Sequence, residues 1–427
     1  MRLYRWRDPP VVGLALVAFA AGFGSFGAVS ALGEVAKAFG QHVHGTATIA
    51  EQAGLSGTKL GIGLAVLRLA SLGGMPLSGL ADRYGRRRLL MACCAGGLVL
   101  TVAAAASPGY WWFVAIFALG RPGLSAATAV APVGAAEQTS TAERAKAIAL
   151  VTAGYGVGSG VVAGINGLAG SALGFRGLFL LALVPLAALP WLRRMITEPD
   201  RYRAVEGEHP LPVIGAVAPA HRRRLLVVCL IAAALAVMTG PVNSFAYVYA
   251  ENVRGLSGPF VTVMVVLAGA AGLGGLLLGR ALADRIGRRP SAALAMVAMA
   301  GCGVLTYSGS RPALLTGYVA GVLAASVFAP PGGALANELF PTEVRASVSG
   351  WLTLAAVIGA TGGLLAFGAI ADVADRFAVA SLAVAPLPVL GALLFFALPE
   401  TRGTELEELE RGGSGQPAGA ERGEVLR

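Results

Sequence analysis

The stretch SGLADRYGRRRLL, at Ser78–Leu90, returns in altered form as GRALADRIGRRPS at Gly279–Ser291. Each copy places one Asp and a group of Arg residues between two long apolar runs. Asp82 and Asp284, the acids of the two copies, are 202 positions apart. This spacing suggests that the chain contains the same unit twice.

A second motif repeats at nearly the same distance. EQTSTAERAKA in the first half and ELFPTEVRASV in the second both contain a Glu followed seven residues later by an Arg. Glu137 and Glu338 are 201 positions apart, as are Arg144 and Arg345. Two motifs at one offset predict a tandem duplication that covers most of the chain.

The composition places the duplicated unit in a lipid bilayer. Of the 427 residues, 56% are hydrophobic and 13% are charged, and the mean hydropathy is +0.71, which is too apolar for a soluble globular protein. The net charge of +10 comes from Arg residues dispersed between apolar runs, so we expect no nucleic-acid partner. The abundance of Arg, Gly and Ala is typical of a GC-rich bacterial genome.

Twelve apolar runs are long enough to span a bilayer, six in each copy. We therefore predict an all-α membrane protein with twelve transmembrane helices in two six-helix bundles. Because six is even, both copies have the same orientation, which makes the repeat parallel. The predicted divisions are a first bundle at 1–194, a cytoplasmic linker at 195–224, a second bundle at 225–400 and a largely disordered cytoplasmic tail at 401–427.

The basic residues predict the orientation. Most of the 33 Lys and Arg residues fall at the N-terminus, in alternate loops, in the linker and in the tail. Because such loops stay in the cytoplasm, we predict a multi-pass protein of the bacterial cytoplasmic membrane with both termini inside.

These motifs resemble those of the major facilitator superfamily. DRYGRRR and DRIGRR are similar to the cytoplasmic motif that this family carries in each half. The junction LPETRGTELEELE at Leu398–Glu410 is similar to the sugar-porter and metabolite, or organic-ion, proton symporter branches. The chain departs from the family at Ser78 and Arg280, where Gly is usual. It also lacks the acids that many proton symporters carry in the first helix and the Gln pair that sugar porters carry in the seventh. The resemblance implies the major facilitator fold and a monomer.

The resemblance also implies that the two motifs form latches that lock the cytoplasmic side. In each copy the Asp accepts bonds from helix N-termini and from an Arg, and anions are favoured at such termini. The alternative is that the Arg clusters only enforce topology. The predicted latch residues are Asp82, Arg83, Gly85, Arg86, Glu137 and Arg144, and in the second copy Asp284, Arg285, Gly287, Arg288, Glu338 and Arg345.

Two cations are predicted near the middle of the bilayer, Arg68 in the second helix and Arg121 in the fourth. A cation at this depth is costly and normally faces a cavity. Since the middle of every predicted span lacks Asp and Glu, the missing anion is interpreted as the solute, held by a guanidinium fork. Alternatively, each Arg bonds helix carbonyls and polar groups such as Asn166 or Asn243. Asn243 and Tyr247 of the seventh helix complete the predicted substrate site.

Two further interpretations concern packing and the outer helix ends. The small-residue stripes Gly156, Gly160, Gly164 and Gly275, Gly279 are predicted to let neighbouring helices approach closely. The acids near the outer helix ends, Glu34, Asp372 and Asp375, are expected to need no special function.

The leading functional hypothesis is a secondary transporter that moves a small organic solute, an organic anion or metabolite, with proton coupling by alternating access. A drug or secondary-metabolite efflux pump of the same fold is the alternative, and a membrane solute sensor is a more distant one. We expect no enzyme activity, cofactor or metal, because no intramembrane cluster suits such chemistry. Substrate identity, transport direction and the choice between proton coupling, exchange and uniport are not encoded in these motifs.

Overall fold

The computed structural model describes residues 4–40, 48–198, 219–341 and 344–401. The described residues form helices and no β-strand; Tyr4 and Thr139 make one isolated bridge. Helices prevail because backbone groups inside a bilayer must find their hydrogen-bond partners within the same segment. Residues 199–218 of the predicted linker and 402–427 of the predicted tail lie outside the described residues.

The first half contains ten helices in chain order: α1 Pro9–Ser30, α2 Leu32–Phe39, α3 Ile49–Ala53, α4 Gly57–Ser71, α5 Gly74–Gly79, α6 Ala81–Tyr84, α7 Arg86–Ala104, α8 Tyr110–Gln138, α9 Thr141–Leu180 and α10 Leu183–Met195. The second half contains α11 Pro219–Val248, a π-helical turn Tyr249–Val253, α12 Gly258–Ile286, α13 Arg288–Thr306, α14 Arg311–Glu338, α15 Arg345–Ala374, α16 Phe377–Val384, α17 Pro386–Leu393 and a 3₁₀ turn Leu394–Ala397. The predicted domain boundaries stay a prediction, although α11 begins six residues before the predicted second bundle.

Eleven segments of the described chain are long and apolar enough to cross a membrane. One of them, Ala142–Met195, has 54 residues and would extend about 80 Å as a single straight helix, more than twice the bilayer core. The chain reverses inside it at Gly174, whose φ of 60° and ψ of 178° are not helical. This segment therefore crosses twice, and the twelve-helix, two-bundle fold predicted from the sequence is confirmed.

The glycine stripes were predicted correctly in one half and wrongly in the other. A Cβ on Gly275 or Gly279 would lie 2.6 Å or 2.3 Å from a backbone oxygen of α14, so these two glycines do allow close approach. At Gly156, Gly160 and Gly164, by contrast, no described atom lies within 4 Å of the Cβ position. The close approach of α9 to α1 uses the other stripe, Gly154 and Gly158, with Cβ positions 2.3 Å and 2.1 Å from α1 backbone oxygens.

The helix ends form two opposite faces of the molecule. We call the face with the Arg-rich turns after α6 and α12 the basic end, and the face where α1 ends and α4 begins the opposite end. At the opposite end, hydrogen bonds join the two halves, including bonds from the N-terminus of α4 to Asp372 and from Asn252 to the backbone at Gly33. A cavity extends from the middle of the molecule toward the basic end.

Candidate functional site

The central cavity has a volume of about 550 Å³ and is lined by residues of the second half together with Arg68 of the first half. Its polar lining includes Arg68 from α4 together with Thr239 and Asn243 from α11, and most of its wall is apolar. Leu335 and Leu398, close to the Arg-rich turns, mark its end nearest the basic face. A small solute with one polar group and an apolar body suits such a lining.

The two predicted cations lie near each other, and of the two Arg68 lines the cavity. Arg121 of α8 is held by a 3.1 Å bond from its Nη1 to the carbonyl of Ser25 in α1, while its buried Nε has no hydrogen-bond partner among the described residues. The charges of Arg68 and Arg121 act on each other, and the Tyr155 phenol lies close to both. Within the described chain, no carboxylate forms a salt bridge with either guanidinium. The pair therefore presents uncompensated positive charge, which an anion would balance.

The structure brings only part of the predicted substrate site together. Arg68 and Asn243 line the cavity, and the Asn243 amide donates to the carbonyl of Thr239 at 2.9 Å within its own helix. Tyr247 is fully buried, with its ring 6.1 Å from that of Phe26 across the interface. Asn166 lies farther toward the opposite end.

Asp372 ties the two halves together at the opposite end. Its carboxylate, at the end of α15, accepts bonds from the backbone N–H groups of Gly57 and Thr58 at 2.6 Å and 2.8 Å. The Thr58 hydroxyl donates a third bond at 2.5 Å. A carboxylate at a helix N-terminus is stabilised by free N–H groups and by the helix dipole. The expectation that Asp372 has no special role was therefore wrong.

A second polar contact lies beside this one. Asn166 of α9 donates at 3.1 Å to Glu251 in the π-turn of the other half. The neighbouring Asn252 donates to the carbonyls of Gly33 and Ala53, at 3.1 Å and 2.8 Å. Asn166 thus joins the halves through a carboxylate, and its role as a substrate ligand stays a prediction.

At the basic end, the two Arg-rich turns have matching geometry. Gly85 and Gly287, with φ of 93° and 101°, end one helix and begin the next, a conformation that favours glycine. The carboxylate of Glu198 accepts bonds from the backbone of Arg86 and Arg87. Glu400 does the same for the N-terminus of α13, at 2.9 Å and 3.1 Å.

Side chains of the two repeated motifs also meet in each half. Arg86 pairs with Glu137, and Arg288 pairs with Glu338 at 2.8 Å. The second-motif Arg residues bond nearby backbone carbonyls, as Arg144 does with Ala136 at 3.1 Å. These contacts join helices of the same half, and the predicted latch of each bundle on the cytoplasmic side stays a prediction.

Of the remaining predicted latch residues, Arg345 donates to the carbonyl of Phe340 at 3.1 Å, while Arg83, Arg285 and Asp284 are exposed. The side chain of Asp82 lies outside the described residues. The latch role therefore stays a prediction.

The sequence analysis did not single out Glu198, Glu400 or Glu251, and it did not predict the bonds between Asp372 and α4. A signal existed for two of them, because Glu198 and Glu400 are 202 positions apart, the same offset as Asp82 and Asp284. Asp372 and Glu251 have no such signal, since each acts through the opposite half of the molecule.

Comparison with known proteins assigns the family. The sequence model of the Major Facilitator Superfamily matches residues 14–304 and 272–423. The chain is 26% identical over 385 residues to the "Probable 4-methylmuconolactone transporter" of Cupriavidus pinatubonensis, covering 86% of this chain and 87% of that protein. It is 30% identical over 247 residues to the "Transcription regulatory protein OpdE" of Pseudomonas aeruginosa, covering 56% and 60%.

The fold is also similar to that of a solved transporter. The inward-open xylose transporter XylE from E. coli superposes with a TM-score of 0.72 at 20% identity, and the match covers 94% of this chain and 98% of that one. A family match over most of the sequence, with twelve membrane crossings in two halves, is conclusive: the chain belongs to the major facilitator superfamily and is a secondary transporter of small-molecule solutes.

Proposed function

We propose that the solute is a small organic anion and that Arg68 and Arg121 recognise its negative charge. The observation that supports this is the pair of neighbouring guanidinium groups: Arg68 lines the cavity, and Arg121 has a buried Nε that lacks a partner among the described residues. Two cations in a low-dielectric site repel each other, so bound anion would relieve an unfavourable arrangement. The apolar cavity wall suits a solute whose remainder is a hydrocarbon ring or chain.

The basic end faces the cytoplasm, because basic loops remain on that side. With this orientation the cavity opens inward, and the contacts of Asp372 and Glu251 close the outer side. Transport then requires these outer contacts to break while the repeated motifs close the cytoplasmic side. The latch residues Asp82 and Asp284 would act in that second state.

The relative named as a 4-methylmuconolactone transporter supports a metabolite as the solute. A membrane solute sensor is the second candidate, and the likeness to a protein named as a transcription regulator favours it. The two functions differ in one observable: a transporter accumulates or exchanges solute in vesicles, whereas a sensor only binds it.

A ligand-binding series tests the anion site. We expect benzoate and 4-methylmuconolactone, supplied separately, to raise the melting temperature of the purified protein, and the same solute to enter proteoliposomes. Benzoate affinity should fall in the order wild type, Arg121→Lys, Arg121→Gln, because Lys keeps the charge without the fork. Loss of a charged hydrogen bond, about 1.5–3 kcal/mol, predicts roughly 10- to 100-fold weaker binding by Arg121→Gln.

The matched control is Arg176→Gln, which removes an exposed cation away from the cavity. This variant should bind like wild type. If Arg121→Gln folds with normal yield and binds benzoate as tightly as wild type, the anion site is refuted, and a neutral or cationic solute, as for an efflux pump, becomes the better explanation.

A further inference from the structure

Glu251 occupies an unusual position for a carboxylate. It lies in the π-turn that ends α11, at the interface with α2, α3 and α9 of the other half. One carboxylate oxygen accepts the bond from Asn166. The other, Oε2, is buried and receives no hydrogen bond from any described residue.

A second orphaned acceptor faces the same point. The Oδ1 of Asn252 is also buried without a donor in the described chain. A Cβ on Gly33 would lie 2.6 Å from Glu251 Oε2 and 3.1 Å from Asn252 Oδ1, so both oxygens converge on this glycine. Burying two acceptors without a donor is costly, especially when one of them carries charge.

No free cation compensates this charge within the described residues. The nearby Lys37 of α2 is paired with Glu34 at 2.9 Å, which leaves Glu251 as the excess negative charge. The other groups brought by the elements around the π-turn are Glu51 of α3, the uncharged Asn166 of α9 and Thr262 of α12, Tyr247 and Tyr249 on its own helix, and the exposed Arg254 that follows it.

We propose that Glu251 binds a proton and that this proton holds the outer side of the transporter closed. Protonation removes the buried charge and converts Oε2 from an acceptor into a donor. The new O–H can then serve an acceptor at the same point, such as Asn252 Oδ1. When the halves separate at this end, water reaches the carboxyl group and stabilises its ionised form, so the proton leaves.

A polar stripe connects this group with the cavity. Asn243, Tyr247 and Glu251 follow one another at intervals of four residues along the same helix, so they share one face. Asn243 lines the cavity, and the buried Tyr247 hydroxyl faces the hydroxyl of Tyr318 in α14. The stripe offers a route by which the proton on Glu251 can exchange with the inward-facing cavity while the outer side is closed.

The inference rests on the proposed transport function for its role in coupling, but its gate can be measured without a substrate. The exposed positions Lys59, at the start of α4, and Arg376, after α15, lie on different halves beside the Asp372 contact. Spin labels on cysteines at these two positions, in a variant whose four native cysteines are replaced by Ala, report the separation of the halves by pulsed electron resonance.

We expect the closed-to-open ratio of the labelled protein to rise at least about tenfold between pH 8 and pH 5, because the closed state binds the proton more tightly. Glu251→Gln is permanently neutral, so its ratio should not change with pH and should match the low-pH ratio of the parent. Glu51→Gln is the matched control, since Glu51 is exposed and Gln can keep its helix-capping role, and it should retain the full pH response.

Each series is run in both sodium and potassium buffers. A pH response that survives in folded Glu251→Gln overturns the proposal, as does a ratio that follows sodium and ignores pH. Failure of the benzoate experiments would refute the anion site while leaving this titration intact, so the two proposals fail separately.

Discussion

Removing the charge of Asp372 should open the outer side. Asp372→Asn keeps the shape of the side chain but leaves one carbonyl oxygen where two carboxylate oxygens now accept three bonds. The amide NH₂ group would face a backbone N–H of α4, so at least one bond from Gly57 or Thr58 is lost.

The free energy that the closed state loses in Asp372→Asn can be calculated from those contacts. A hydrogen bond to a charged group contributes about 1.5–3 kcal/mol, and the lost charge at the N-terminus of α4 adds about 0.3–1 kcal/mol. Allowing for partial exposure of Asp372, we expect the closed state to lose about 2–3 kcal/mol. Since every 1.4 kcal/mol is a factor of ten, the closed-to-open ratio should fall roughly 30- to 150-fold.

The label pair at Lys59 and Arg376 measures this ratio directly. Asp375→Asn is the matched control: it removes the same charge three residues farther on, and Asn tolerates the left-handed backbone found there, with φ of 52°. The control should keep the wild-type distance distribution. If Asp372→Asn shows the same distribution as its control, the bonds to α4 do not hold the outer side closed.

Two further predictions concern the stability of single bundles. Gly158→Val should lower the melting temperature strongly, because its Cβ would lie 2.1 Å from a backbone oxygen of α1. Gly156→Val should have little effect. Equal melting temperatures of the two variants would contradict the packing of Gly158 against α1. Glu198→Gln and Glu400→Gln should each cost about 1 kcal/mol by weakening a helix N-terminus, and a thermal melt unchanged from that of the wild type would refute the capping role.

The fold could be predicted because its determinants are local and repeated. Apolar length fixes the number of crossings, and the offset between Asp82 and Asp284 reveals the two halves without knowledge of any contact. Even the reversal at Gly174 falls between two predicted spans, although the flanking residues are helical on both sides. These signals depend on composition along the chain and not on how the helices are rotated.

The rotation of each helix about its own axis could not be predicted from the sequence. Helix α9 contains glycines on two faces at the same spacing of four residues, so composition cannot say whether Gly156 or Gly158 packs against α1. The same uncertainty applies to polar residues at helix ends. Asp372 and Glu251 look solvated or unremarkable along the chain, and only the approach of the other half buries them against α4 and Asn166.

Residues that stabilise the bundles are duplicated, whereas residues assigned to transport are not. Groups that stabilise one bundle occur twice at the repeat offset: Gly85 and Gly287, Glu137 and Glu338, Glu198 and Glu400. Groups that carry the proposed transport chemistry occur once, since at an offset of 201 or 202 residues none of Arg68, Arg121, Glu251 and Asp372 corresponds to a charged residue. A symmetric pair of bundles can rock about its interface, but binding a solute and a proton requires charges that only one half supplies. Restoring the symmetry by Val322→Arg, at the position that corresponds to Arg121 with the 201-residue offset of Glu137 and Glu338, would add a third cation against the core, and we expect it to destabilise the fold and not to improve solute binding.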